Sequence, residues 1–138
     1  MVIFVIMFSL LYGLWQYVFK KDDYFVLILG LDNSGKTTFL EHTKINFNKR
    51  YKGVNLSRIT STVGLNVGSI DMPSGVRLIF WDLGGQKELR TLWDKYFSEC
   101  HGVIYVIDSA DESRVPEVRE NLEEVLKHDR ISKKPILV

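Results

Sequence analysis

A glycine-rich turn at residues 30–37 constrains this chain more than any other part of its sequence. The turn reads Gly-Leu-Asp-Asn-Ser-Gly-Lys-Thr and fits the pattern G-x-x-x-x-G-K-[ST]. The run before it, Tyr24–Leu29, is continuously apolar, as expected of a strand that is buried on both faces. The run after it, Lys36–Lys44, contains no Gly or Pro and is typical of a helix. Strand, turn and helix together predict a loop that holds phosphate groups.

The residue types in this loop explain how it would bind phosphate. Gly30 and Gly35 permit backbone conformations that direct successive N–H groups inward, and the following helix presents its partly positive N-terminus. The Lys36 ammonium can reach the β- and γ-phosphates, and the Thr37 hydroxyl can ligate Mg²⁺. The residues predicted to bind the nucleotide phosphates in this loop are Gly30, Asp32, Asn33, Ser34, Gly35, Lys36, Thr37 and Thr38.

A second motif follows the strand pattern Val76–Trp81, which ends in Asp82-Leu-Gly-Gly-Gln. An Asp at the tip of a buried strand is placed to contact Mg²⁺, directly or through a water. The backbone N–H of Gly85 can approach a γ-phosphate closely, which adds Gly85 to the phosphate-binding residues. Gln86 is then placed to orient an attacking water, and it is the predicted catalytic residue.

A third element lies between these motifs, in a polar and basic loop that ends at residues 60–64. The Thr62 hydroxyl can ligate Mg²⁺ while its N–H binds the γ-phosphate, so we expect triphosphate to order this loop. The predicted Mg²⁺ ligands are therefore Thr37, Thr62 and Asp82.

These motifs resemble those of the ADP-ribosylation factor (Arf) small GTPases. The matching segments are GLDNSGKTT at 30–38, TVGLNV at 62–67, WDLGGQ at 81–86, LWDKY at 92–96 and VIYVIDS at 103–109. The resemblance covers the chain from about residue 7 to residue 138 and is strongest to the Arf-related subgroup. It implies a GTP-binding switch in Golgi-type vesicle traffic that binds GTP or GDP with Mg²⁺. Hydrolysis is expected to be slow and to need an activating protein, because no arginine is evident in the motifs.

The resemblance also implies partners and a location. The partners would be an exchange factor, an activating protein and effectors, at the cytosolic face of Golgi or trans-Golgi membranes and in the cytoplasm. Leu65, Trp81 and Tyr96 occupy the positions of an aromatic triad that effectors contact, with Leu65 in place of the usual Phe. A purely structural role in the core is the alternative for Trp81 and Tyr96. Leu65–Asp71 and Val76–Trp81 would form a hairpin between the two switch segments.

The expected fold is a P-loop NTPase domain of three α/β/α layers, with a mostly parallel sheet and an antiparallel edge hairpin. Residues 20–138 would form this domain. In the helix after residue 111, five apolar positions are expected in the core: Val115, Val118, Leu122, Val125 and Leu126.

The composition excludes some classes of protein. A chain with 46% apolar and 25% charged residues is that of an ordinary globular domain, and a net charge of +1 indicates no nucleic-acid partner. The single cysteine, Cys100, excludes an internal disulfide and is expected to be a buried, inert thiol.

Residues 1–19 are almost entirely apolar and precede Lys20 and Lys21. The stretch is long enough to be a transmembrane candidate. From Met7 onward, however, the apolar residues recur at spacings of three and four, as in a helix that lies in the membrane interface. We favour such an interfacial helix, which would contact a membrane surface or a membrane protein. Residues 1–6 are an upstream extension or an artefact of start-site choice, and N-myristoylation is excluded because no Gly follows either Met.

The last residues, Pro135–Val138, are typical of the start of another parallel strand. The motif N-K-x-D, whose Asp pairs with guanine, does not occur, so a preference for guanine rests on the resemblance. We therefore expect a domain that is incomplete at its C-terminus, either a fragment or an isoform. Two other functions stay open: a transmembrane-anchored Arf-like receptor subunit for protein targeting, and a non-catalytic truncated isoform that acts as a binding module.

Overall fold

The structure is a computed structural model that describes the backbone of residues 2–19 and 21–138 and the side chains of residues 7–15 and 21–138. The helices in these ranges are α1 (Val2–Phe19), α2 (Lys36–Phe47), α3 (Trp93–Phe97) and α4 (Val115–Lys127). The strands are β1 (Asp22–Leu29), β2 (Leu65–Asp71), β3 (Val76–Leu83), β4 (Gly102–Tyr105) and β5 (Ile136–Leu137). Short 3-10 turns lie at Leu56–Arg58, Lys87–Leu92 and Glu112–Arg114.

The five strands form one sheet in the order β2-β3-β1-β4-β5. The strands β2 and β3 are antiparallel, whereas β1 pairs in parallel with both β3 and β4, and β4 pairs in parallel with β5. The β2–β3 connection is tight, because the Met72 N–H donates to the Val76 carbonyl at 2.7 Å and Gly75 adopts a φ of 81°. The predicted fold class, a mostly parallel sheet with an antiparallel edge hairpin, is confirmed.

Alternate residues of the central strand β1 pack on opposite faces of the sheet, as strand geometry requires. Leu27 and Leu29 belong to a core cluster that includes residues of α3 and α4. Ile28 belongs to a second cluster with Leu40 of α2. The sheet is therefore the middle of three layers, and the continuous apolar run in the sequence reflects burial on both faces.

The apolar face of α4 is narrower than predicted. Val125 is buried, and Val118 and Leu122 pack against the same cluster. Val115 and Leu126 are instead 51% and 44% exposed, so their assignment to the core was wrong. Val115 is the first residue of the helix, and Leu126 is turned by about 100° from Val125, away from the buried stripe.

Helix α1 presents apolar side chains to solvent over the part whose side chains are described. The exposed fractions include 72% for Phe8, 58% for Leu11 and 57% for Trp15. Among the described residues, no helix combines the length and apolarity that crossing a membrane demands. Met1 and Lys20 lie outside the described residues, and so do the side chains of residues 2–6 and 16–19.

Cys100 lies at the end of the segment that follows α3, and it is only 3% exposed. Burial raises the pKa of its thiol. The Lys134 ammonium donates to the carbonyl oxygens of Phe97 and Cys100, each at 2.6 Å, and so binds the C-terminal end of α3. The predicted burial of the cysteine is confirmed.

Candidate functional site at the carboxyl edge of the sheet

Three loops converge where β1, β3 and β4 end. A Cβ atom on Gly85 would lie 2.3 Å from the Gly30 carbonyl oxygen and 2.3 Å from the Leu31 carbonyl carbon. A Cβ atom on Gly30 would lie 2.2 Å from the Val106 carbonyl oxygen, just beyond β4. The backbones are therefore in direct contact, and only glycine fits at these two positions. This edge of a parallel sheet, beside a central strand with neighbours on both sides, is where α/β folds bind ligands.

The loop from Gly30 to Gly35 has the conformation of an anion-binding loop. Asn33 and Gly35 have positive φ angles of 58° and 91°, and Gly35 directly precedes the first residue of α2. The Lys36 ammonium folds back and donates to the carbonyl oxygens of Gly30 at 3.0 Å and Leu31 at 2.5 Å. Burial lowers the pKa of Lys36 to about 8, although the nearby Asp82 carboxylate opposes that shift.

The three predicted Mg²⁺ ligands lie together. The Thr37 hydroxyl donates to Asp82 Oδ2 at 2.6 Å, and the hydroxyl oxygens of Thr37 and Thr62 are 2.7 Å apart. The Asn66 side-chain amide also donates to Asp82 Oδ2, at 3.3 Å. Burial raises the pKa of Asp82, while the hydrogen bonds from Thr37 and Asn66 lower it.

One carboxylate oxygen of this group has no partner. Asp82 is completely buried, and its Oδ1 accepts no hydrogen bond from the described part of the chain. An unpaired buried carboxylate oxygen is costly, and beside two hydroxyl oxygens it offers the oxygen ligands that Mg²⁺ prefers. The donor set therefore fits Mg²⁺. This set is made of two hydroxyls and one carboxylate. A metal site of the other kind, with three or more His, Cys, Asp or Glu side chains, does not occur among the described residues.

A cleft of about 200 Å³ opens over these residues. Its lining comes from the loop after β1, from the segment before β2 and from the loop after β3: Asp32, Asn33, Gly35, Lys36, Thr37, Thr38, Leu56, Ile59, Thr60, Ser61, Thr62, Gly85 and Gln86. Most predicted phosphate-binding residues thus line one cleft, together with the predicted catalytic residue Gln86. Gly30 and Ser34 do not line the cleft, and the Ser34 hydroxyl is buried and has no partner among the described residues. No arginine of the described residues lines the cleft.

Hydrogen bonds of backbone and side chains hold the walls of the cleft together. The Gly84 N–H donates to the Gly64 carbonyl at 3.0 Å, which joins the loop after β3 to the segment before β2. The Trp93 indole N–H donates to the Gly84 carbonyl at 3.1 Å from inside the core. The Ser61 hydroxyl donates to the Asn33 side-chain oxygen at 3.0 Å across the cleft. The loop that carries Gln86 is therefore fixed from two sides.

Two arginines that sequence reasoning missed contact the site. Arg90 Nε donates to the Gly85 carbonyl at 3.0 Å, and Arg90 Nη2 contacts Glu117 Oε1 of α4 at 2.7 Å. Arg114 Nη1 donates to the Asp32 carbonyl at 2.9 Å and to its carboxylate at 3.2 Å. Arg114 contacts a residue that is distant in sequence, and Arg90 contacts a carbonyl in the preceding loop and a glutamate of α4. No local sequence motif indicates either set of contacts.

Of the predicted effector residues, two contact each other directly. The rings of Trp81 and Tyr96 are 5.4 Å apart in a T-shaped arrangement, and Trp81 also stacks on Phe25 at 4.7 Å. Both side chains are half-buried against the core, so part of their role is structural, as the alternative interpretation held. Leu65 is 40% exposed. It lies on the same face of the hairpin as Trp81, because Val67 pairs with Trp81 and Leu65 is two residues from Val67 on the same strand.

Comparison with known proteins relates this geometry to a family. The profile of the ADP-ribosylation factor family matches residues 10–138. The chain is 61% identical over 132 residues to ADP-ribosylation factor-related protein 1 of Rattus norvegicus, covering 96% of this chain and 65% of that protein. The chain thus spans slightly less than two thirds of this curated relative.

Two solved structures share the fold. The Arl6 BBS3 small GTPase from Trypanosoma brucei, solved with the bound nucleotide analogue GppNp, matches with a TM-score of 0.65 and 33% identity, over 83% of this chain and 64% of that one. The mammalian SRP receptor matches with a TM-score of 0.59 and 29% identity, over 74% of this chain and 52% of that one. The phosphate loop, the buried aspartate and the glycine pair that follows it all lie within the residues that the profile matches. This chain belongs to the ADP-ribosylation factor family.

Proposed function

We propose that residues 20–138 form the nucleotide-binding part of an Arf-type switch that binds GTP or GDP with Mg²⁺ and hydrolyses GTP. The observation that carries the proposal is the group formed by Thr37, Thr62 and Asp82, where a buried carboxylate oxygen has no partner beneath a cleft lined by the phosphate loop. Thr62 comes from a separate loop, and its hydroxyl oxygen lies 2.7 Å from that of Thr37.

The residues of the cleft divide the work of the reaction. Lys36 would exchange its two loop carbonyls for the β- and γ-phosphates, beside the N-terminus of α2. Thr37, Thr62 and Asp82 would hold Mg²⁺, which neutralises charge on the phosphate oxygens. The Gly85 N–H would bind the γ-phosphate, and Gln86 would orient the attacking water. Because no arginine of the described residues lines the cleft, hydrolysis would depend on an activating protein that supplies one.

The family assignment supports a cellular setting for this switch. We infer a role in Golgi-type vesicle traffic at the cytosolic face of Golgi or trans-Golgi membranes, with an exchange factor and effectors as partners. Effectors would contact Leu65, Trp81 and Tyr96, of which Leu65 offers exposed apolar surface. Residues 1–19 would act as a separate helix that contacts a membrane surface or a membrane protein through its exposed apolar side chains.

The likeness to the mammalian SRP receptor supports a second candidate function. In that case the chain would be an Arf-like subunit of a membrane-anchored receptor in protein targeting. Extraction of membranes with alkaline carbonate distinguishes the two proposals. A subunit with a spanning anchor stays in the membrane pellet, whereas a switch that is bound through an interfacial helix is released.

Hydrolysis by purified protein with Mg²⁺ and an activating protein tests the leading proposal. Replacement Gln86→Leu should lower the turnover of GTP by about tenfold or more while nucleotide stays bound, because only water positioning is lost. Replacement Thr37→Asn should weaken retention of Mg²⁺ and nucleotide. Thr43→Ala is the matched control on the same helix, since its hydroxyl donates to the Phe39 carbonyl within α2. Unchanged turnover in the Gln86 variant would contradict the proposed mechanism.

A further inference from the structure

One arginine connects the loop that carries Gln86 to α4. Arg90 lies in the 3-10 turn Lys87–Leu92, and its Nε donates to the Gly85 carbonyl at 3.0 Å. Its Nη2 contacts Glu117 Oε1, in the first turn of α4, at 2.7 Å. The Arg90 side chain is only 14% exposed. The Glu117 side chain is 42% exposed, so of the two charge-assisted contacts the one with the Gly85 carbonyl is the less hydrated.

These contacts fix the peptide between Gly85 and Gln86 from one side. From the other side, the backbone of the phosphate loop leaves no room even for a Cβ atom on Gly85. The carbonyl oxygen that accepts from Arg90 is held toward α4, where it cannot face a phosphate and repel it. The same constraint sets the direction in which the chain enters Gln86.

Arg90 differs from an arginine that acts on the phosphate itself. Its side chain does not line the cleft, and its Nε and Nη2 are engaged by Gly85 and Glu117. Its contacts can therefore influence bound nucleotide through the Gly85–Gln86 peptide, and its charge acts in addition on Lys36, whose pKa it helps to lower.

We propose that Arg90 is a positioning residue that holds the Gly85–Gln86 peptide in the orientation that receives a γ-phosphate, and that Glu117 fixes Arg90 in that role. The inference rests on the proposed function. Because a diphosphate has no γ-phosphate, the pair affects the binding of triphosphate and not that of diphosphate. The orientation of the loop is thereby coupled to the start of α4.

Nucleotide affinities of the full chain test this. The dissociation constants of the Mg²⁺ complexes of GppNp and GDP are compared for Arg90→Ala, Arg90→Lys and Glu117→Gln. The control is Arg119→Ala, which removes an exposed pair with Glu123 on the same helix. We expect the ratio of the GppNp constant to the GDP constant to rise by about tenfold in Arg90→Ala. The rise should be smaller in the other two variants and absent in the control.

Amide hydrogen exchange of residues 83–92 in the nucleotide-free chain gives a second measurement. Exchange should be faster in Arg90→Ala and in Glu117→Gln and unchanged in Arg119→Ala. The inference is overturned if Arg90→Ala leaves the ratio of the two dissociation constants unchanged, whether or not both rise, or if hydrogen exchange is unaltered. A wild-type chain that binds neither nucleotide contradicts the proposed function instead, and with it this inference.

Discussion

Glycine has a steric role at three residues of the site, all of which stand in the sequence motifs. Gly30 and Gly85 stand at motif positions, and the structure shows the backbone atoms that exclude any side chain there. Gly84 is equally crowded, since a Cβ atom would lie 2.6 Å from the Thr62 carbonyl oxygen. The motif predicted conformational freedom at Gly30 and a close approach of the Gly85 N–H to phosphate, but the contacts between backbone segments appear only in the structure.

Replacement Gly85→Ala should therefore destabilise the folded chain. The new methyl group would displace the loop after β3 or the phosphate loop, at a cost of about 1–3 kcal/mol in the free energy of unfolding. Gly13→Ala is the control, because Gly13, like Gly85, has no positive φ, but no atom lies within 4 Å of its added Cβ. Urea unfolding measures both variants. Equal stability of the two would show that the contact with the phosphate loop is not tight.

Lys36 shows what the motif could not predict, which is where the ammonium lies without phosphate. The ammonium donates hydrogen bonds to two carbonyl oxygens of its own loop, in a buried environment that disfavours its charge. Burial of the charge and the presence of Asp82 act in opposite directions, and only the three-dimensional arrangement shows that burial dominates.

The stability of the nucleotide-free chain should consequently rise with pH. The pKa of Lys36 is about 8 in the folded chain and 10.5 ordinarily, so the unfolded state binds more protons between these values. The free energy of unfolding of the wild type relative to Lys36→Met should increase from pH 8 to pH 10, by about 2 kcal/mol. Chemical denaturation in EDTA measures this difference. A difference that stays constant or falls over the range would contradict the buried position of the ammonium.

At the scale of elements, the strands and helices were predictable, but the burial of residues near the ends of α4 was not. The strand before the phosphate loop agrees with the prediction made from its apolar pattern, and the hairpin formed by β2 and β3 agrees with what the family resemblance implied. Helix α4 shows the limit, since Val115 and Leu126 are apolar but exposed. Periodicity predicts a helical face, but it does not show how far the neighbouring sheet extends along that face.

The buried contact between α4 and β4 leads to a prediction about stability. The Tyr105 hydroxyl donates to Asn121 Oδ1 at 2.7 Å, and both residues are buried. Tyr105→Phe leaves the Asn121 oxygen without this partner and should cost about 1–3 kcal/mol in the free energy of unfolding. Tyr24→Phe is the control, because Tyr24 is 43% exposed. Thermal or urea unfolding measures both, and an equal effect in the two variants would contradict a strong buried hydrogen bond.

At the scale of the whole molecule, the order of the strands places the motifs beside one another. Motifs that are about 50 residues apart meet because β1 lies between β3 and β4. The sequence was sufficient to predict that the phosphate loop, Thr62, Asp82 and Gln86 come together. It was not sufficient to predict Arg90 and Arg114, whose partners are a backbone carbonyl and side chains from other elements. Such contacts leave no spacing rule in a single sequence.

The attachment of the molecule to membranes is a prediction at this scale. Leu11, which is 58% exposed on α1, would insert into the lipid interface, so Leu11→Asp should reduce binding to phosphatidylcholine vesicles by about tenfold. Leu126→Asp is the control, because Leu126 is an exposed apolar residue of α4. Cosedimentation with vesicles measures binding. If Leu11→Asp binds as the wild type does, α1 is not the contact with lipid.

The burial of Cys100 has a practical consequence for studies of motion in this protein. With a thiol that is 3% exposed and a pKa raised by burial, the native cysteine offers little thiolate to alkylating reagents at neutral pH. A single exposed cysteine that is introduced in the loop near Thr62 or on α4 would react first. Fluorophores or spin labels can therefore be attached at chosen sites without removing Cys100. Distances between those labels can then be followed as nucleotide is exchanged.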